Sequence, residues 1–456
     1  MPNHFRQFYF QHLMTLRFTF ALLGLMAIIG SCFLSCVEPI HPYSAVAPGM
    51  WRGKLFIEPN KSITPGIQDR YTSQEKLFDR NDVGILPFLF EVKYENDTSW
   101  YIEIQNGEER IPVRDISFGR SKADADEVLK MEFPLYDSYI EAVVKEGIMQ
   151  GHFVVRSKDN YRIPFSAHHG EADRFFMEPN QEDRVDLDGT WEVTFDYDSE
   201  DPYNAIGEFN QQGNRISGTF LTETGDYRYL DGVVEKNKLW MSVFDGAHAF
   251  LFHAKYQTDG TLIGIFRSGK HYENNWIAEK NDDAKLIEPD SLSKATLETF
   301  SITFPNENGT MTTFPDPSDD GIKILQIMGT WCPNCRDETI FLTDFLKKNP
   351  ELNIDVTALA FERYKEQADA LEAIKRYKEK LDIPYTMLYG GPSSKSAATD
   401  ILPMIDEVIS YPTMIILDKN NKVRRVHTGF SGPATSKFED FKLEFMAFIS
   451  NLNEEI

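Results

Sequence analysis

Residues 329–342 read GTWCPNCRDETIFL. Two cysteines two residues apart stand where the apolar run IKILQIM (322–328) gives way to a helix-like pattern. Such a pair is a redox dithiol, half of a zinc site, a closed structural disulfide or a coincidence. The cysteine inventory narrows the choice. The chain holds four, Cys32, Cys36, Cys332 and Cys335. A structural zinc site needs four protein ligands, as two cysteine pairs or a pair with histidines. Cys32 and Cys36 lie in or beside an N-terminal apolar run, and the only histidine after His271 is His427. The sequence therefore supplies no metal site, and a redox pair is the leading reading.

The 456 residues allow about two to four domains, and 41% apolar content is ample for several cores. A formal charge of −24 speaks against a nucleic-acid partner, which would require a basic stripe. The first 17 residues carry Arg6 and Arg17 and no acid, and an uncharged run follows, FTFALLGLMAIIGSCFLSCV (18–37). This is the pattern of an export segment, assigned to residues 1–36. Ile29-Gly30-Ser31-Cys32 resembles a bacterial lipobox, which puts the lipid on Cys32, with Cys36 as the alternative. An uncleaved signal anchor is the competing reading, since 20 uncharged residues can just span a bilayer. Either way the chain is expected in the bacterial cell envelope, periplasm-facing and membrane-tethered. In that compartment a lone C-x-x-C does not remain a passive thiol pair.

Residues 44–180 and 186–282 are aromatic-rich, turn-rich and poor in helical periodicity. They also resemble one another. Gly49-Met50-Trp51 opens the first and Gly189-Thr190-Trp191 the second; Leu129-Lys130-Met131 answers Leu239-Trp240-Met241, and Gly151-His152-Phe153 answers Gly264-Ile265-Phe266. They read as a diverged duplication of one antiparallel β module. In the second copy WEVTFDY, AIGEFNQ, RISGTFL, LWMSVFD and LIGIFRS are strands separated by turn signals such as Gln212-Gly213-Asn214. Their spacing predicts a lipocalin-like meander or barrel. His152, His248 and His253 are dispersed among these strands and carry no chemistry.

Residues 283–296 are polar and read as a linker. From 297 to 456 strands alternate with helices, the signature of an α/β domain. IKILQIM and NIDVTALAF (353–361) are buried strands, MIILD and VRRVHTG form a hairpin, and Leu371, Ile374, Tyr377 and Leu381 stripe a helix. Ser436 and Glu439 read as a capping box for a last helix with Phe441, Phe445 and Ile449 on one face. These signals predict a catalytic domain that folds and works without the β modules.

Trp331-Cys332-Pro333-Asn334-Cys335 at a strand–helix junction, with Tyr411-Pro412-Thr413 before a later strand, resembles the thioredoxin fold. Within it, the segment is similar to TlpA/ResA-like periplasmic thiol–disulfide oxidoreductases, and the β modules resemble, more loosely, the N-terminal regions of Bacteroidetes-type members. The resemblance implies a Cys332–Cys335 redox disulfide, a cis Pro412 facing it, and an extended substrate strand pairing beside Trp331 and Tyr411-Pro412. It also implies protein thiols and disulfides as partners and a membrane thiol transporter as electron donor. Pro333-Asn334 departs from the glycine-proline or glutamate-proline usual between the cysteines, so the direction of exchange stays open.

Elementary chemistry gives the same roles to the pair. Unpaired amides and the dipole at a helix N-terminus stabilise a thiolate at Cys332, and Pro333 suits the first helical turn. Cys335, one turn on, can resolve a mixed disulfide formed at Cys332. No cofactor is needed. Glu338 shares a helix face with Cys335 and with apolar Phe341 and Leu342, so its carboxyl should be desolvated and able to move protons to or from the dithiol. The family carries a glutamate at this offset in that role; the alternative is an acid that merely favours a helix N-terminus. Gln326 stands where thioredoxins carry a buried aspartate. The competing function is a surface binding protein whose β modules hold a glycan or protein ligand, with the C-x-x-C as a redox-regulated clasp.

Overall fold

Among the described residues the first module contains nine strands: β1 (Gly49–Phe56), β2 (Ile85–Tyr94), β3 (Trp100–Asn106), β4 (Glu109–Val113), β5 (Ile116–Arg120), β6 (Glu127–Phe133), β7 (Ser138–Lys145), β8 (Ile148–Val155) and β9 (Arg162–His169). They form one antiparallel sheet in the order β4-β3-β2-β1-β9-β8-β7-β6-β5, whose end strands do not pair. The computed structural model describes residues 46–57, 84–121, 126–175, 184–318 and 320–455. The stretch read as an export segment and its two cysteines, Cys32 and Cys36, lie outside the described residues. Among the described residues no helix is long and apolar enough to cross a membrane.

The second module repeats the plan with β10 (Gly189–Phe195), β11 (Tyr203–Gln212), β12 (Arg215–Thr222), the two-residue β13 (Gly225–Asp226), β14 (Leu230–Glu235), β15 (Lys238–Phe244), β16 (Ala249–Tyr256), β17 (Leu262–Ser268) and β18 (Tyr272–Lys280). Here β11 pairs with both β10 and β12, and β12 pairs with β14, so eight strands close into a barrel. Closure removes the free edges that an open sheet must manage.

The duplication is visible strand by strand. The three matched tripeptides lie on β1 and β10, β6 and β15, β8 and β17, a constant offset of nine strands. Trp51 and Trp191 each donate their indole N–H to the carbonyl four residues earlier, Ala47 and Leu187, at 3.0 Å. Gly151 faces Ala142 and Gly264 faces Ala254 across the ladder. A Cβ at Gly151 would stand 1.9 Å from the Glu141 carbonyl oxygen, and one at Gly264 2.4 Å from that of His253. Both positions require glycine because the neighbouring backbone occupies the side-chain space.

The open module is filled by its twin. Phe244 of β15 lies 4.5 Å from Phe88, 5.1 Å from Phe153 and 5.7 Å from Phe133, ring centre to ring centre. Asn106 donates to the Phe244 carbonyl at 2.9 Å and Ser242 to that of Pro87 at 2.6 Å, which satisfies polar groups the contact buries.

The C-terminal domain opens with a hairpin, β19 (Ile302–Pro305) and β20 (Met311–Phe314), followed by β21 (Ile322–Met328). Then come α1 (Pro333–Lys348), β22 (Ile354–Glu362), α2 (Gln367–Lys380), β23 (Thr386–Pro392), α3 (Lys395–Ile401), β24 (Thr413–Leu417), β25 (Val423–Thr428) and α4 (Lys437–Glu454). The sheet order is β23-β22-β21-β24-β25, with β21, β22 and β23 parallel and β24 and β25 antiparallel to their neighbours. All seven residues of β21 are buried, as expected for a central strand covered on both faces. Phe341 and Phe345 of α1 meet Phe445 of α4 edge to face at 5.1 and 5.0 Å, contacts worth about 0.5–1.5 kcal/mol each beyond area burial.

The capping-box expectation changes. Ser436 makes no side-chain cap on α4; its N–H and hydroxyl bond instead to the Glu208 carboxylate of the barrel, at 2.9 and 2.5 Å. The 283–296 segment is pinned to the C-terminal domain, with Asp290 2.7 Å from both Arg425 Nε and His427 Nδ1.

Neither β module hangs free of the C-terminal domain. Tyr364 donates to Asp137 at 3.0 Å, Arg376 to the Pro134 carbonyl at 2.9 Å, and Lys380 to Asp115 at 2.8 Å. The barrel contributes Arg228, buried and in the left-handed backbone region at φ 65°. Its guanidinium bonds Asp337 of α1, pairs with Glu109 of the first module at 2.8 Å, and lies 3.6 Å from Asp245. One cation thus joins all three modules next to the cysteine pair. The expectation of a self-sufficient catalytic domain does not fit this packing.

Candidate active site

Cys332 is the N-cap of α1, with extended backbone (φ −101°, ψ 113°), and Pro333 sits at the first helical position. The proline's fixed φ and missing N–H suit that turn, so the sequence dictates where the helix starts. The Cys332 sulfur accepts the Cys335 N–H at 3.3 Å, in the place a serine or aspartate oxygen would take at an ordinary N-cap. Its own S–H points to the Tyr411 carbonyl at 3.5 Å. Cys332 is 6% exposed and Cys335 fully buried, and both are free thiols. Burial pushes the Cys335 thiol well above its ordinary value, and the Cys332 sulfur beside it adds to the effect. An outer sulfur at the helix cap and a suppressed inner thiol suit sequential use, outer first.

The Tyr411–Pro412 bond is cis. The Pro412 carbonyl accepts the Gly429 N–H at 2.9 Å, and the Tyr411 hydroxyl donates to Ser394 O at 3.3 Å. Trp331 anchors the other rim: its indole N–H donates to Phe361 O at 2.9 Å, Tyr411 meets it edge to face at 5.8 Å, and the Arg363 guanidinium lies 3.7 Å over its ring. Trp331, Cys332, Tyr411 and Pro412 are therefore brought together.

Glu338 lies behind the pair, fully buried. Gln326 donates to its Oε2 at 2.9 Å and to the Cys335 carbonyl at 3.4 Å, while Oε1 has no hydrogen-bond partner among the described residues. Burial raises the Glu338 carboxyl to about 8, and the Gln326 bond offsets only part of that. At neutral pH it is mostly a neutral acid beside the Cys335 thiol, able to give a proton and, once ionised, to take one.

Sequence reasoning missed a second buried acid. Glu362 ends β22, with its Oε1 accepting the Thr330 N–H at 2.9 Å and its Oε2 the Thr330 hydroxyl at 2.8 Å. It fixes the loop that presents Cys332, and burial raises its carboxyl to about 7. The available signal was an acid closing an apolar strand at the carboxyl edge of a parallel sheet, where sites concentrate. Also missed was the β12–β13 hairpin, which approaches the pair from the barrel: Asn334 donates to the Asp226 carbonyl at 3.4 Å and Ser410 to that of Thr224 at 3.2 Å. Among the described residues no group of three or more histidine, cysteine or acidic side chains is placed to hold a metal ion.

The Redoxin family model matches residues 294–441. No curated protein matches the chain. Among solved structures, a thioredoxin-family thiol:disulfide interchange protein from Chlorobium tepidum is 19% identical, with a TM-score of 0.27, over 35% of this chain and 97% of its own. A putative protein disulfide isomerase from Bacteroides thetaiotaomicron is 15% identical, with a TM-score of 0.27, over 37% and 93%. A thiol-disulfide oxidoreductase from Bacteroides fragilis is 15% identical, with a TM-score of 0.25, over 33% and 99%. With its central strand, its cysteine-capped helix and the match of the Redoxin family model over 294–441, the C-terminal domain is a thioredoxin-like oxidoreductase domain.

Proposed function

We propose that this chain is an exported thiol–disulfide oxidoreductase that reduces its partners through Cys332 and Cys335. Cys332 is the nucleophile, Cys335 the resolver and Glu338 the proton carrier, with Trp331, Tyr411 and Pro412 lining the substrate path. The observation that carries this reading is the cap geometry: the Cys332 sulfur at the start of α1 accepts the Cys335 N–H at 3.3 Å, one turn from a fully buried free thiol. The Cys332 thiolate attacks a substrate disulfide, forming a mixed disulfide and releasing one substrate thiolate. Cys335 then attacks the Cys332 sulfur, releases the second substrate thiol and leaves the Cys332–Cys335 disulfide, so two electrons pass to the substrate. A dithiol donor restores the pair; a membrane thiol transporter fits that part.

The export element of the proposal rests on the acid-free start of the chain and the uncharged run over 18–37. Lipid on Cys32, or alternatively Cys36, would tether the chain on the periplasmic side of the envelope. The exchange element is tested by trapping. A Cys335→Ser variant should accumulate mixed disulfides that dithiothreitol releases, and adding Cys332→Ser should abolish them. Absence of adducts in the single variant, or their persistence in the double, removes the assignment.

A further inference from the structure

The Cys332 sulfur does not face open solvent. It borders a chamber of about 310 Å³ whose walls come from all three modules, among them Lys158 of the first, Thr224 and His271 of the barrel, and Trp331 and Arg363 beside the cysteine. The β12–β13 hairpin covers the side nearest the Pro412 loop. Thr224 O accepts from Ser410, and a Cβ added to Gly225 would stand 1.9 Å from Asn334 Nδ2. A folded partner therefore cannot lay a flat face on the sulfur. What reaches Cys332 is small, or is a narrow extended segment.

The charge of the chamber is one-sided. Lys158 and Arg363 line it, and among the described residues neither lies within ion-pair distance of a carboxylate. Each rests on an aromatic face instead, Lys158 at 4.7 Å from the Tyr161 ring centre and Arg363 at 3.7 Å from that of Trp331. Among the described residues of the lining the one acid, Asp226, is already engaged: its carboxylate accepts the N–H of Arg228 at 2.7 Å and that of Gly432 at 2.8 Å. His248 is tied to Asp245 at 3.3 Å. His271 meets the Tyr161 hydroxyl at 3.1 Å, and burial together with Lys158 and Arg363 lowers it to about 4, so it is neutral near pH 7. Burial and the Arg363 charge lower Lys158 to about 8, which leaves it mostly charged near pH 7, so Lys158 and Arg363 put two cations beside Cys332.

We propose that this chamber selects disulfides that carry carboxylates beside the sulfur, taken from a small acidic disulfide or from an extended acidic segment of a protein. The selection rests on the exchange reading above and adds the substrate's charge to it. Lys158 and Arg363 would hold the carboxylates while the substrate disulfide meets Cys332, and a partner with basic residues around its cysteine would be repelled.

The test uses the full chain and three small disulfides at low ionic strength: oxidised glutathione as the anion, hydroxyethyl disulfide as the neutral probe and cystamine as the dication. Oxidised glutathione should be reduced about tenfold or more faster than cystamine, with the ratio shrinking as salt screens the charges. In Lys158→Glu the ratio should fall about tenfold, mostly through KM. Short peptides joined as mixed disulfides, flanked by glutamates or by lysines, distinguish the sources: a glutamate preference assigns the chamber to protein segments, and a preference confined to glutathione assigns it to small thiols. Equal rates for anion and dication, with the neutral probe turned over, would overturn the selection and leave the exchange reading standing. No turnover of any of the three would overturn both.

Discussion

Arg228→Met is expected to destabilise the folded protein by about 3–5 kcal/mol, the cost of removing one partner from a buried ion pair. The guanidinium is almost completely buried and meets carboxylates from three modules: Glu109, Asp337 and its own barrel's Asp245. Methionine fills most of the volume but leaves those carboxylates in a low-dielectric pocket without their cation. Burial already holds Glu109 and Asp226 above the usual carboxylate range, and the Arg228 charge opposes that shift. Without the arginine their folded pKa values rise further. A raised carboxyl pKa means stability that is present at low pH and lost as pH rises. The deficit should therefore be smaller near pH 5 than near pH 8, as measured by urea denaturation at the two values. Adding Asp337→Asn should recover part of it, the mark of direct coupling. A loss below about 1 kcal/mol, equal at both pH values, would show that the node does not bind the modules together. Asp337 lies two residues past Cys335, so loosening it also frees the helix that presents the pair, and a 290–456 fragment loses the whole node.

What the sequence disclosed and what it hid divide by range. Cys332, Pro333 and Cys335 are neighbours in the chain, and the cap they form follows from local backbone rules. The duplicated β plan was legible because tryptophan and glycine recur at fixed places, each forced by a local requirement: an indole bond to the carbonyl four residues back, and a strand crossing with no room for a Cβ. Whether a copy closes into a barrel was not legible, since that depends on β12 pairing with both β11 and β14 in one copy and on nothing equivalent in the other. Ser436 was misread for the same reason. The capping-box spacing is a local rule, and Glu208, 228 residues away, competes successfully for its hydroxyl. Arg228 reads as an ordinary strand-edge arginine until Asp337, 109 residues on, is folded against it. Glu362 looks like the solvated end of a strand, although Thr330 buries it.

Glu338→Gln should slow resolution of the mixed disulfide by about a hundredfold at pH 8, the lower end of what a positioned acid–base group supplies. Cys335 is fully buried and its thiol pKa is raised, so it cannot release its proton to water when it attacks Cys332. Glu338 is the carboxyl one helical turn on, fully buried, held by Gln326 at 2.9 Å and with one oxygen free of partners among the described residues. Raised to about 8, it is mostly protonated at neutral pH. Resolution needs its ionised form as acceptor, so the wild-type rate should climb with pH and level off above about 8. The reverse step, in which a donor reduces the Cys332–Cys335 disulfide, needs the acid form and should decline over the same range. Glutamine keeps the shape and the Gln326 contact but neither gives nor takes the proton, so both limbs should flatten. Stability provides a second readout. Because the folded pKa lies above the ordinary carboxyl value near 4.5, the wild-type contribution is complete below that value and is lost as pH rises to about 8. Over that interval wild-type stability should fall relative to the variant by about 1.4 kcal/mol per pH unit. Rapid-mixing measurement of resolution from pH 6 to 9, with thermal melts at the same values, separates the outcomes. A variant that keeps both limbs and the wild-type stability slope would reduce Glu338 to an acid near a helix N-terminus.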